Sequence, residues 1–117
     1  MPCRQARELL GKNYIIGISC QNNLHLAKNA SLDGADYVAL GSVYKTRTKK
    51  RVSRISIPRL NDICEQIHLP VVAIGGINIH NISEIKSSKA SMAAISSALF
   101  ESKDLKKIST FLVKHIQ

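Results

Sequence analysis

Four short apolar runs, Tyr14 to Ser19 (YIIGIS), Tyr37 to Leu40 (YVAL), Val71 to Ile74 (VVAI) and Met92 to Ile95 (MAAI), constrain the fold more than any other feature of this chain. Each is apolar almost without interruption, whereas a half-buried strand would alternate. Continuous runs of this length suit strands buried on both faces of a parallel sheet. A short buried helix carries the same signature, so the segments between the runs have to decide.

Those segments have helical spacing. Arg4 to Leu10 forms a leading helix. Asn22 or Asn23 can cap a second, with Leu24, Leu26, Ala27 and Ala30 on one side and an end before Asp33-Gly34. Pro58 sits where a first helical turn tolerates it, and Leu60, Ile63, Cys64 and Ile67 follow at helical intervals. A shorter helix after Asn78 carries Ile79, Ile82 and Ile85, and a last one from about Asp104 carries Leu105, Ile108, Leu112 and Ile116.

One helix followed by four βα units specifies an α/β fold with a parallel sheet and right-handed crossovers. Two architectures satisfy it. An open sheet would take helices on both faces; a segment of a (βα)8 barrel would take all of them on one. The chain is 117 residues long, enough for a single domain spanning 1–117 but about half of the ~250 residues of a complete barrel. A four-stranded partial barrel is the expectation.

The formal charge is +9, from 17 basic and 8 acidic residues, so the molecule attracts anions. Lys45, Arg47, Lys49, Lys50, Arg51 and Arg54 fall in one segment between a strand and a helix, which makes that segment a basic loop. Nucleic acid is a poor match for it. Two phenylalanines, three tyrosines and no tryptophan give no interleaved platform for stacking bases. No apolar run approaches the ~20 residues of a membrane span and the N-terminus lacks a secretory pattern, so a cytoplasmic location is expected. The three cysteines, Cys3, Cys20 and Cys64, fit neither a disulfide framework nor a zinc site, and His25, His68, His80 and His115 share no metal-ligand spacing. No metal site is expected among these residues.

In either architecture ligands bind at the C-terminal ends of the strands. The first strand ends in Ser19-Cys20-Gln21-Asn22. The second runs into Gly41-Ser42-Val43-Tyr44-Lys45-Thr46-Arg47-Thr48-Lys49-Lys50, a glycine turn leading to hydroxyls interleaved with cations, which is sensible chemistry for an anion loop. A plain solvated loop has the same composition. The third strand ends in Gly75-Gly76-Ile77-Asn78, where glycines allow backbone N–H groups close to a phosphate at a helix N-terminus. An ordinary glycine turn is the alternative. The fourth strand ends in Ile95-Ser96-Ser97, again rich in small donors. Cys20 stands at a strand end, but no base or cation is placed to activate it as a nucleophile.

The runs ARELLG, IIGISC, GADYVALGSVYKTRTKK and LPVVAIGGIN, with AISSA after them, resemble the thiamine-phosphate synthase (thiamine-phosphate pyrophosphorylase) family, in the order that family shows them. The resemblance covers essentially the whole chain and is most specific in the T-x-T-K loop. It implies the C-terminal half of a TIM (β/α)8 barrel, and a transferase that couples hydroxymethylpyrimidine pyrophosphate to thiazole phosphate, giving thiamine phosphate and pyrophosphate. The related thiazole tautomerase branch shares the frame, but Gln21 stands where many relatives have histidine.

Residue by residue, the resemblance implies that Thr46, Thr48 and Lys49 hold the thiazole phosphate and pyrophosphate region. It makes Ser19 and Lys49 the catalytic candidates, and Gly75, Gly76, Ile95 and Ser96 the phosphate cradle. It also implies Mg2+, whose aspartate ligands in the family precede the point where this chain begins; Pro2 stands about where the family reads Asp-Leu-Pro. A truncated chain, inactive alone, is the resulting expectation. It would pair with itself, with a missing N-terminal half or with another partner chain as a non-catalytic phosphate-binding half barrel. Ser42 in place of proline, and Lys89-Ala90-Ser91-Met92 in place of Gly-Ala-Asp-Gly, are further departures, the latter bearing on the last βα turn.

Overall fold

The computed structural model describes residues 2–44 and 54–95. Thr46, Thr48, Lys49, Ser96 and the helix expected from Asp104 lie outside them. Within them the order is α1 (Cys3–Leu10), β1 (Gly17–Gln21), α2 (Leu24–Leu32), β2 (Tyr37–Leu40), α3 (Ile57–Gln66), β3 (Val71–Ile74), α4 (Ile82–Ser87) and β4 (Met92–Ala94). The strands form one parallel sheet in chain order, β1-β2-β3-β4.

The helix starts follow capping chemistry. Asn23 caps α2, its side chain accepting from the Leu26 N–H at 3.1 Å. Ser56 does the same for α3 through the Arg59 N–H at 3.2 Å, with Pro58 in the first turn, where its missing donor costs nothing. The core lies between the sheet and the helices. Cys20, Val38, Leu40, Val71 and Ala73 are buried on one sheet face together with Ala27 and Ala30 of α2, Leu60 and Ile63 of α3, and Ile82 and Ile85 of α4.

Alternate strand residues lie on the opposite face. Register aligns Ser19 with Ala39, Ala39 with Val72 and Val72 with Met92 across the four strands. This face carries no helix among the described residues, and Ile74 and Met92 on it are 41% and 42% exposed. Helices on a single face of a sheet in sequential order are half-barrel architecture; an open doubly wound sheet would cover both.

Three local expectations shift. The first strand begins at Gly17 instead of Tyr14, because the residues before it are tied by side chains rather than a ladder: the Tyr14 carbonyl accepts from Arg7 at 2.7 Å and the Ile16 N–H donates to the Asp36 carboxylate at 2.8 Å. Leu26, expected on the apolar stripe of α2, is exposed, since Ala27 and Ala30 make that helix's buried contacts. Ile79 falls in a turn, with α4 starting only at Ile82.

Candidate functional site

The C-terminal strand ends gather Ser19 and Gln21 of β1, the Gly41–Tyr44 segment after β2, Gly75 and Gly76 after β3, and Ile95 after β4. Ser19 is exposed on the open sheet face. Cys20 beside it is fully buried, and burial pushes its thiol pKa up, which leaves it a core residue and no nucleophile. Ile95 is half-buried and packs against the core.

The segments leaving β2 and β3 form a seam. The Gly41 N–H donates back to the Gln21 carbonyl at 3.1 Å; Val43 N–H donates to the Ile74 carbonyl at 3.0 Å and Tyr44 N–H to the Gly75 carbonyl at 2.9 Å. Two glycines make this approach possible. A Cβ on Gly41 would collide with the Ile74 carbonyl oxygen, and one on Gly75 with the Ser42 hydroxyl, while Gly75 also takes φ +108°. Ser42 is buried and donates its hydroxyl to the Tyr44 carbonyl at 2.6 Å.

The same seam closes the base of the basic loop. Beyond residues 45–53 the chain returns to it: Ile55 N–H donates to the Ser42 carbonyl at 2.8 Å, the Arg54 guanidinium reaches the Val43 carbonyl at 3.5 Å, and Asn22 Nδ2 reaches the Arg54 carbonyl at 3.5 Å. The residues that flank 45–53, Tyr44 on one side and Arg54 and Ile55 on the other, therefore meet at this seam. Parallel strands lie ~4.8 Å apart, which puts the end of β1 about 10 Å from the end of β3.

The helix expected after Asn78 begins only at Ile82. Gly76 (φ +67°) leads into a turn in which Asn81 Nδ2 donates to the Gly76 carbonyl at 2.9 Å and Asn81 Oδ1 accepts from the Asn78 N–H at 2.8 Å. The side-chain amide of Asn81 thus bridges the Gly76 carbonyl and the Asn78 N–H, between the glycine turn and the start of α4.

Tyr44 is the site residue that sequence reasoning missed. Its hydroxyl donates to Glu84 Oε2 of α4 at 3.0 Å. Burial first, then the Glu84 carboxylate, raises its pKa to about 12. Its place inside the GSVYK segment was visible, but the partner is 40 residues away.

Mg2+, implied by the resemblance, does not fit the carboxylates described. Glu8 lies on α1, and Asp33 and Asp36, paired with Arg4 and Arg7 of that helix, lie at the far end of the sheet; Asp62 pairs with Arg59, Glu65 with Lys89, and Glu84 with Tyr44. Among the described residues no three of His, Cys, Asp and Glu come together. Lys89, a departure from the family pattern, is accommodated by the Glu65 pair and by its N–H donating to Asn61 Oδ1 at 2.8 Å. No helix among the described residues is long and apolar enough to cross a membrane.

A family model described as thiamine monophosphate synthase matches residues 1–99. The thiamine-phosphate synthase of Pelagibacter ubique is 44% identical over 102 residues, spanning 87% of this chain and 49% of that protein. That of Pyrococcus abyssi is 42% identical over 117 residues, all of this chain and 56% of the other. The chain thus spans about half the length of these relatives. The solved thiamine phosphate pyrophosphorylase of Pyrococcus furiosus superposes with a TM-score of 0.89 at 36% identity, covering 99% of this chain and 55% of that one. A 3-hexulose-6-phosphate synthase shares the fold alone, with a TM-score of 0.67 at 17% identity.

Proposed function

The chain belongs to the thiamine monophosphate synthase family, and from that premise we propose that it provides the phosphate-holding half of a thiamine-phosphate synthase site. The reaction joins hydroxymethylpyrimidine pyrophosphate to thiazole phosphate, giving thiamine phosphate and releasing pyrophosphate, in a cytoplasmic pathway. Lys49 neutralises charge that develops on the departing pyrophosphate, and Thr46 and Thr48 donate hydroxyls to phosphate oxygens. Gly75, Gly76, Ile95 and Ser96 cradle the phosphate, and Ser19 faces the reacting centre from the end of β1.

One observation supports the reading: Tyr44 N–H bonds to the Gly75 carbonyl while Ile55 and Arg54 bond back to Ser42 and Val43, so the residues flanking 45–53 meet beside the glycine turn. Calorimetric titration with thiazole phosphate and with inorganic pyrophosphate tests it. Wild type should bind both, and Lys49→Ala should bind roughly ten- to a hundredfold more weakly, the usual cost of a charge-assisted contact. Unchanged affinity in Lys49→Ala would remove the reading.

We propose further that this chain alone binds phosphate without coupling the substrates, since the aspartates that hold Mg2+ in the resembled family have no counterpart among the described strand ends. Formation of thiamine phosphate at an enzymatic rate by the purified chain would overturn that. The open sheet face, with Ile74 and Met92 on it, favours a second reading in which the half barrel assembles with a copy of itself or with a partner chain. Light scattering that finds a folded monomer at micromolar concentration would exclude self-assembly.

A further inference from the structure

Tyr44 stands where the basic loop leaves the sheet, and it is fastened at three points. Its N–H donates to the Gly75 carbonyl at 2.9 Å, its carbonyl accepts from the Ser42 hydroxyl at 2.6 Å, and its phenol lies 3.0 Å from Glu84 Oε2 and, more distantly, 3.5 Å from the Asn81 carbonyl. The first two bonds fix the main chain at one residue. The third spans from the loop to the element following the Gly75-Gly76 turn, whose own carbonyl at Gly76 is held by Asn81 just before that helix.

We infer that Tyr44 is a positioning residue, holding the start of the basic loop in register with the Gly75-Gly76 turn through its bond to Glu84. The inference rests on the phosphate-site reading above. If groups on the loop and on the turn grip one phosphate, small displacements between them weaken the grip, because each donor is effective only at hydrogen-bond distance. Tyr44 needs no contact with the ligand for this. Its phenol stays a neutral donor across the physiological range, consistent with a fixed structural bond and not with proton transfer.

The test is calorimetric titration of inorganic pyrophosphate into four forms of the full chain. Tyr44→Phe keeps the half-buried ring and deletes only the donor; Glu84→Ala breaks the same bond from the other side; Glu84→Gln keeps an acceptor oxygen without the charge. Tyr44→Phe and Glu84→Ala should bind roughly three- to tenfold more weakly than wild type, the range of one lost hydrogen bond, with Glu84→Gln within about twofold of it. Wild-type affinity in Tyr44→Phe overturns the inference, as does Glu84→Gln weakening as far as Glu84→Ala. Should Tyr44→Phe not fold, the two Glu84 variants decide on the same criteria. If wild type binds no pyrophosphate, the phosphate-site reading itself fails and takes this inference with it; if wild type binds and the variants bind equally, only the positioning role is lost.

Discussion

Arg7 Nη2 meets Asp36 Oδ2 at 2.6 Å at the N-terminal end of the sheet, the end opposite the basic loop. The same guanidinium donates to the Gly34, Gly11 and Tyr14 carbonyls at 2.7–3.0 Å, and the same carboxylate accepts from the Ile16 N–H at 2.8 Å. One ion pair therefore anchors α1 and the lead-in to β1 onto the turn before β2. Arg7→Ala should lower stability by about 1–3 kcal/mol, measured by urea unfolding, because several carbonyls lose their donor together.

The acid limb of stability reports on the same pair. The Ile16 N–H first, and then Arg7, hold the Asp36 carboxyl below its ordinary value. A depressed folded pKa contributes stability that is complete above the unfolded value, about pH 4, and disappears as pH falls through the lowered one. Asp36→Asn should leave the urea midpoint less dependent on pH below about pH 4 than in wild type.

At high pH the direction reverses for Tyr44. Its pKa is raised to about 12, so its contribution is complete below the ordinary phenol value near 10 and is lost as pH rises through the folded one. Between those values Tyr44→Phe should lose less stability with rising pH than wild type does, as followed by circular dichroism.

Glycine at the seam makes a steric prediction. Gly41→Ala puts a methyl group onto the Ile74 carbonyl oxygen, a backbone atom that cannot swing aside, and Gly75→Ala adds a strained φ to a clash with Ser42. Each should cost about 1–3 kcal/mol and weaken pyrophosphate binding as well, since the loop base and the glycine turn would part. A variant that lost stability and kept full affinity would separate the seam from binding.

Leu60 is fully buried on α3 and belongs to the core that fixes the helix to the sheet. Leu60→Ala should lower stability by about 2–5 kcal/mol in the same urea assay. Lys89→Ala should change it by less than about 1 kcal/mol, because the pair with Glu65 is exposed.

Much of the frame was legible in the sequence, because it is written in local pattern. YVAL and VVAI are β2 and β3 with the bounds the apolar runs imply, and Ser19, Gly75, Gly76 and Ile95 come to the same end of the sheet because strand ends in parallel βα units must. What escaped depends on partners far along the chain. Tyr14 and Ile15 read as strand by composition, yet Arg7 and Asp36 claim the neighbouring polar groups and the ladder starts at Gly17. The helix expected just after Asn78 starts only at Ile82, beyond the Asn78–Asn81 turn, whose asparagine side chains compete with helical hydrogen bonding. Tyr44 and Glu84 carry no periodic signal linking them.

The closed base beneath residues 45–53 has an evolutionary side. Since Ile55 and Ser42 already bring the ends together, the conformational cost of closing a loop there is met by the frame, and a change in loop length alters it only logarithmically. Substitutions, insertions or a wholesale exchange of that segment can change the chemistry it carries while leaving β2, β3 and the core beneath them undisturbed. The seam thus works as a socket, and the piece plugged into it can drift in sequence without putting the fold at risk.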